Sequence, residues 1–96
     1  VLDLIKKLED YQCRVSVADY YVDSKEAKSI CGVNIKTLEK IRAQDVVIIA
    51  VAHNQYCNLH HKDWKRLLSN NGIIIDVKSL YNSSEFFKTD ITYWSL

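Results

Sequence analysis

Apolar positions along the chain repeat with two different periods, and the switches between them mark the elements. Val1, Leu2, Ile5 and Leu8 fall at spacings that share one helical face. Asp3, Lys6, Lys7, Glu9 and Asp10 lie mainly elsewhere, which predicts an amphipathic helix to about Tyr11. Residues 14–19, Arg-Val-Ser-Val-Ala-Asp, read as a short strand ending on an acid. Asp23-Ser24-Lys25-Glu26 carries helix-start signals: an acceptor side chain at Asp23 or Ser24, and Glu26 three residues after Asp23 as in a capping box. That helix is predicted through Ala27 and Ile30 and stopped by Gly32, because glycine takes the left-handed conformation after a helix without strain. A second short helix is predicted over 37–43, with Leu38 and Ile41 facing inward.

The period then changes. Residues 46–52 are seven consecutive apolar positions without alternation. A run apolar on both faces predicts a strand covered on both sides, as in a parallel sheet between helix layers. Residues 59–68 read as a helix with Leu59, Trp64, Leu67 and Leu68 on its apolar side, broken by Asn70-Asn71-Gly72. Residues 73–77 read as a second buried strand, 79–90 as polar loop, and 91–96 as a short final strand or extended tail. Strands thus alternate with helices. The pattern predicts an α/β fold: an open, mainly parallel, three-layer sheet of Rossmann-like type, with strands 14–19, 46–52 and 73–77 in one sheet. Because the chain opens on a helix, the first strand of such a sheet is expected to be lacking.

Composition narrows the function classes. Ninety-six residues make one domain, and 48% hydrophobic with 26% charged residues is the balance of a globular one. A net charge of +1 lacks the basic excess of a nucleic-acid binder. No apolar run approaches the roughly 18 residues that span a bilayer, and no signal peptide opens the chain. Neither nucleic acid nor membrane is therefore expected as a partner. Three cysteines, an odd number, fit free thiols in a reducing, cytoplasmic setting. There is no methionine, even at position 1, so the chain is expected to be cut from a longer one.

Dinucleotide binding needs glycines where a strand turns into a helix, so that the backbone can approach the pyrophosphate. The two glycines, Gly32 and Gly72, both follow predicted helices. A dinucleotide site or P-loop made by this chain alone is not expected, and Asp19 reads as a solvated strand-end acid. His53, Cys57, His60 and His61 have a zinc-like look, but zinc asks for four convergent ligands, and adjacent His60 and His61 diverge on a helix. Cys57 with His53 resembles a nucleophile and base without an oxyanion loop. The stronger feature is topological. Ligands of open α/β sheets sit beyond the C-terminal ends of the strands. His53 and Asn54 follow one buried strand and Asp76 and Lys78 the next, so the four should border one crevice, with Lys78 as the natural anion partner.

These residues also carry a resemblance. Residues 46–56, Val-Val-Ile-Ile-Ala-Val-Ala-His-Asn-Gln-Tyr, preceded by Asp45, resemble the "D-a-v-v-x-a-v-a-H-x-x-f" stretch in the C-terminal domain of the UDP-glucose/GDP-mannose dehydrogenase family. Residues 73–80, Ile-Ile-Ile-Asp-Val-Lys-Ser-Leu, resemble that family's next strand, "v-i-x-D-v-k/r-g". Tyr93-Trp94-Ser95-Leu96 is similar to the "Y-W-R-L" close of many bacterial members, and residues 1–19 to the family's opening pattern. The match is collinear over essentially all 96 residues and points to the branch that oxidises UDP-N-acetylhexosamines. Tyr20, Cys13 and Ser79 depart from the family's proline and glycines.

The resemblance implies that residues 1–96 are the UDP-sugar-binding C-terminal domain of a nucleotide-sugar 6-dehydrogenase, which turns a C6 hydroxyl into a carboxylate in two steps using two NAD. It implies that NAD and the catalytic residues belong to an N-terminal dehydrogenase domain, and that the parent is a homodimer acting in surface polysaccharide synthesis. It places the family's basic nucleotide-facing residue at Lys78, with His53 as a second substrate contact. No catalytic residue is expected in this chain, which alone should be inactive. The alternative from another class is a stand-alone α/β interaction or signalling module. A receiver domain would end its central strand on Asp, and this one ends on Ala52-His53.

Overall fold

The computed structural model describes residues 2–18 and 35–96. They belong to two compact units, Val1–Ile41 and Arg42–Leu96. The expected helix ending at Gly32 and the strand-end Asp19 lie outside the described residues.

In the first unit, helix α1 spans Leu2–Asp10, with Asp3 in its first turn and Lys7 in its last, each complementing the helix dipole. Ile5 is its buried residue, as the spacing predicts. The helix closes without glycine. Gln12 takes φ 65°, its N–H donates to the Glu9 carbonyl (2.9 Å), and the Cys13 N–H donates to that of Leu8 (3.0 Å). Among the described residues of the predicted strand at 14–19, β1, Val17–Ala18, forms a ladder, parallel to β2, Ile35–Lys36. The helix expected over 37–43 is reduced to a 3-10 turn at Leu38–Lys40. Ile41 is already extended and Ala43 left-handed (φ 53°), so a helix cannot continue through them.

The second unit carries strands β3 (Gln44–Ile49), β4 (Leu68–Asp76) and β5 (Thr92–Ser95) in that spatial order, all parallel, with helix α2 (His61–Leu67) between β3 and β4. The α/β class and the parallel pairing agree with the sequence reading. Among the described residues each unit has its own ladder, β1 with β2 in the first and β3, β4 and β5 in the second. The sequence offered no strand signal at β2, a two-residue element with Ile35 buried and Lys36 exposed.

Register explains the core. Val47 pairs with Ile74 and Ile49 with Asp76, while Ile74 pairs with Tyr93. Paired residues of a ladder share a face, and alternate residues along a strand share it too. One face therefore presents Val47, Ile49, Ile74, Asp76 and Tyr93. Ile74 is completely buried there, a contribution of roughly 1.5–3 kcal/mol for such a side chain. Trp64 and Leu67 of α2 are buried too, and ring contacts run from Trp64 through Phe86 to Tyr93. The opposite face presents Val46, Ile48, Ile73, Ile75 and Trp94, of which Val46 and Trp94 are exposed. Burial of 46–52 on both faces is thus met on one. The strand also ends earlier, at Ile49, and Val51 and Ala52 are exposed. No helix among the described residues is long and apolar enough to cross a membrane.

Asn70-Asn71-Gly72 does more than stop a helix. Helix α2 ends at Leu67, and Leu68 is already extended. Gln44 pairs with Leu68 but Val46 with Ile73, so the intervening residues of β4 bulge out. Asn71 takes φ 58°, and its N–H donates to the Asp90 carboxylate (3.3 Å). Gly72 folds back on Leu68 so closely that a Cβ there would lie 2.8 Å from the Leu68 Cβ. Gly72→Ala should therefore destabilise by about 1–3 kcal/mol through overpacking, measured by denaturant unfolding. An unchanged midpoint would show that the bulge relaxes without strain.

Candidate functional site

Three parallel strands put three C-terminal ends on one edge of the sheet. Ile49, Asp76 and Ser95 stand side by side at that edge, and the Val77 N–H adds a last rung to the Ile49 carbonyl (3.0 Å). Beyond β3, His53 is the N-cap of a 3-10 turn at Asn54–Tyr56, and its Nδ1 accepts the Gln55 N–H (3.3 Å). Beyond β4 the chain turns sharply. Lys78 is exposed on that turn, and Ser79 follows it at φ 53° with its N–H on the Asp76 carbonyl (3.4 Å). His53 and Lys78 are thus delivered to the same sheet edge by neighbouring strands.

Asp76 organises this edge. It is 0% exposed, the one buried charged side chain among the described residues. Its Oδ2 accepts the Tyr81 N–H (2.9 Å) and the Tyr93 hydroxyl (2.6 Å). Its carbonyl also accepts the N–H of Leu96 (3.4 Å), whose carbonyl takes the Ser79 hydroxyl (2.7 Å). Burial pushes the carboxyl up. The Tyr93 hydroxyl and the backbone N–H groups of Leu80, Tyr81 and Lys78 outweigh this together, leaving Asp76 below the usual carboxylate value. Burial first, then the hydrogen bond to Asp76 and the Asp76 charge, push Tyr93 up to about 12.

Tyr81 extends the network to the other loop. Its hydroxyl donates to the Tyr56 carbonyl and accepts the Leu59 N–H (3.0 Å). Its ring packs edge-on against Trp64 and Phe86. Burial raises its hydroxyl above the ordinary tyrosine value.

The remaining sequence candidates separate. Cys57 Sγ donates to the His53 carbonyl (3.4 Å), not to the imidazole, so the pair is not arranged as nucleophile and base. His60 is the N-cap of α2, with its N–H on the Asp63 carboxylate (2.9 Å), and His61 opens the helix. Among the described residues no group of three or more His, Cys, Asp or Glu is placed to hold a metal ion. A cavity of about 150 Å³ lies between Leu59, His60, Trp64, Tyr81 and Phe86; neither His53 nor Lys78 lines it.

Comparison with known proteins decides what this edge belongs to. The profile of the UDP-glucose/GDP-mannose dehydrogenase family, UDP binding domain, matches residues 1–83. The chain belongs to that family. It is 34% identical over 85 residues to Protein CapL of Staphylococcus aureus, covering 88% of this chain and 20% of that protein. It is 27% identical over 78 residues to the UDP-N-acetyl-D-glucosamine 6-dehydrogenase of Salmonella typhi, covering 81% of this chain and 18% of that protein. It is 26% identical over 85 residues to the enzyme of the same name from Pseudomonas aeruginosa, covering 88% of this chain and 20% of that protein. The chain therefore spans about a fifth of the length of these relatives. No solved structure matches it significantly.

The family is one of dehydrogenases, which typically need a nicotinamide cofactor, and the described residues of this chain do not fit one. Gly72 sits in a bulge against Leu68, not in a turn from strand to helix. The family's glycine after the basic residue is also explained. Ser79 holds a left-handed φ of 53°, which glycine adopts without cost, and here the Ser79 hydroxyl bond to Leu96 offsets the strain. Sequence reading missed Tyr81 and Tyr93. The signal for Tyr93 was available, because alternation in Thr-Tyr-Trp-Ser puts it on the face of Asp76.

The network has two pH limits. Asp76 is depressed in the fold, so its stabilisation is complete above the ordinary 3.8 and is lost as pH falls through the lower folded value. Tyr93 is raised, so its stabilisation is complete below 10 and is lost as pH rises through about 12. Absorbance titration at 295 nm should show a tyrosine step near pH 12 that Tyr93→Phe removes. Its survival in that variant would assign it elsewhere.

Proposed function

We propose that residues 1–96 form the UDP-sugar-binding C-terminal domain of an NAD-dependent nucleotide-sugar 6-dehydrogenase. The parent enzyme oxidises the C6 hydroxyl of a UDP-hexose or UDP-N-acetylhexosamine to a uronate for surface polysaccharide synthesis. NAD and the catalytic groups belong to an N-terminal domain of the same cytoplasmic, homodimeric parent, and this chain alone is inactive. The observation that carries the reading is Lys78: an exposed cation on a pinned turn at the C-terminal edge of a parallel sheet, in a domain of a UDP-binding family. A diphosphate placed there gains a charge-assisted bond from the ammonium, while the lysine stem packs on the strand end. His53, on the neighbouring strand end, is the second substrate contact. The names of two relatives support the N-acetylhexosamine branch.

The test uses the intact dehydrogenase. The wild type should reduce NAD in the presence of UDP-N-acetylglucosamine, followed at 340 nm. Lys78→Ala removes an interaction of about 1.5–3 kcal/mol and should weaken UDP-sugar binding about 10- to 150-fold. NAD affinity should change far less. Equal loss of both affinities would make Lys78 a packing residue, and no loss of either would leave it a solvated lysine.

A further inference from the structure

The two loops of the proposed site come from different strands, and one side chain ties them together. Tyr81 closes the turn that carries Lys78, where its N–H is held by the buried Asp76 carboxylate (2.9 Å). The same residue reaches 22 and 25 positions back along the chain with its phenol, to the N–H of Leu59 and the carbonyl of Tyr56. Those two groups flank the far side of the loop that His53 opens. The hydroxyl serves as acceptor and donor at once, so it fixes the loop at two backbone points. The ring is separately held between Trp64 and Phe86.

We propose that Tyr81 is a positioning residue that couples the His53 loop to the Lys78 turn, so that a nucleotide sugar meets both in one preformed geometry. The inference rests on the reading of this edge as the UDP-sugar site. Without the hydroxyl, the loop at 53–60 loses its anchor to the turn. A ligand held at the Lys78 turn then no longer meets that loop in place, and affinity falls because the preformed geometry is lost. Tyr81 itself touches no substrate.

Tyr81→Phe in the intact dehydrogenase isolates this role, because the phenyl ring keeps its place in the aromatic cluster and only the two loop bonds disappear. The KM for UDP-N-acetylglucosamine should rise about tenfold, the order expected for loss of a hydrogen-bonded anchor, with the KM for NAD unchanged. Amide hydrogen exchange supplies the readout that a purely structural role would not give. In the wild type, UDP should protect the peptides covering 53–60 and 77–82 together. In Tyr81→Phe it should still protect 77–82 and no longer protect 53–60. Joint protection in the variant, with an unchanged KM, overturns the coupling and leaves the site reading intact. A parallel rise in both KM values overturns the positioning role in favour of general packing. Failure of UDP to protect either peptide in the wild type overturns the site reading, and the coupling with it.

Discussion

A carboxylate buried at the end of the middle strand is the constraint on which the second unit depends. Removing a charge from water is costly unless hydrogen bonds replace its hydration. Asp76 obtains them from groups far apart in sequence: the Tyr81 N–H on the following turn and the Tyr93 hydroxyl on the last strand. Holding one oxygen of this buried carboxylate therefore fixes where β4 ends, how tightly the chain turns after it, and how β5 lies alongside. An apolar residue at 76 would be easier to bury but would leave the turn without an anchor. The strand Ile-Ile-Ile-Asp thus combines a hydrophobic run that drives burial with a terminal charge that specifies the geometry.

That geometry shapes the edge proposed to bind the sugar nucleotide. Parallel pairing aligns the ends of β3, β4 and β5, and the Asp76 network turns those ends into a connected rim. Lys78 stays exposed while its backbone is held on both sides, by Asp76 before it and by the Ser79–Leu96 bond after it. A flexible ammonium on a rigid turn suits a diphosphate: the stem absorbs small misfits, and the backbone pays no ordering cost.

Much of this was readable in the sequence, and the exceptions have physical causes. Long signals read well. The amphipathic spacing around Ile5 gave α1, the unbroken apolar runs gave β3 and β4, and the spacing of Trp64 and Leu67 gave α2. Short elements did not. β2 is two residues long, and nothing in Ile35-Lys36 distinguishes it from a loop. The run at 46–52 overstated burial, because hydrophobicity reports what a strand can cover and not what covers it; Val46 is exposed. Asn70-Asn71-Gly72 was read as a stop signal, and its left-handed Asn71 instead shapes a bulge. For the site, topology and the family pattern brought out Lys78 and His53 and placed Asp76 beside them. The tyrosine network stayed hidden. Which distant hydroxyl meets Asp76 depends on strand register, and which loop Tyr81 reaches depends on the path of residues 53–60.

The claim that the buried carboxylate and the last strand act as one unit is tested most directly by a double-mutant cycle between Asp76→Asn and Tyr93→Phe, read by denaturant unfolding at neutral pH. Each single variant should lose stability, and the double variant should lose less than the sum, with a coupling of roughly 0.5–3 kcal/mol as for residues in one hydrogen-bond network. Strictly additive losses would mean that Tyr93 and Asp76 contribute independently, and would contradict the account of Asp76 as the organiser of the binding edge.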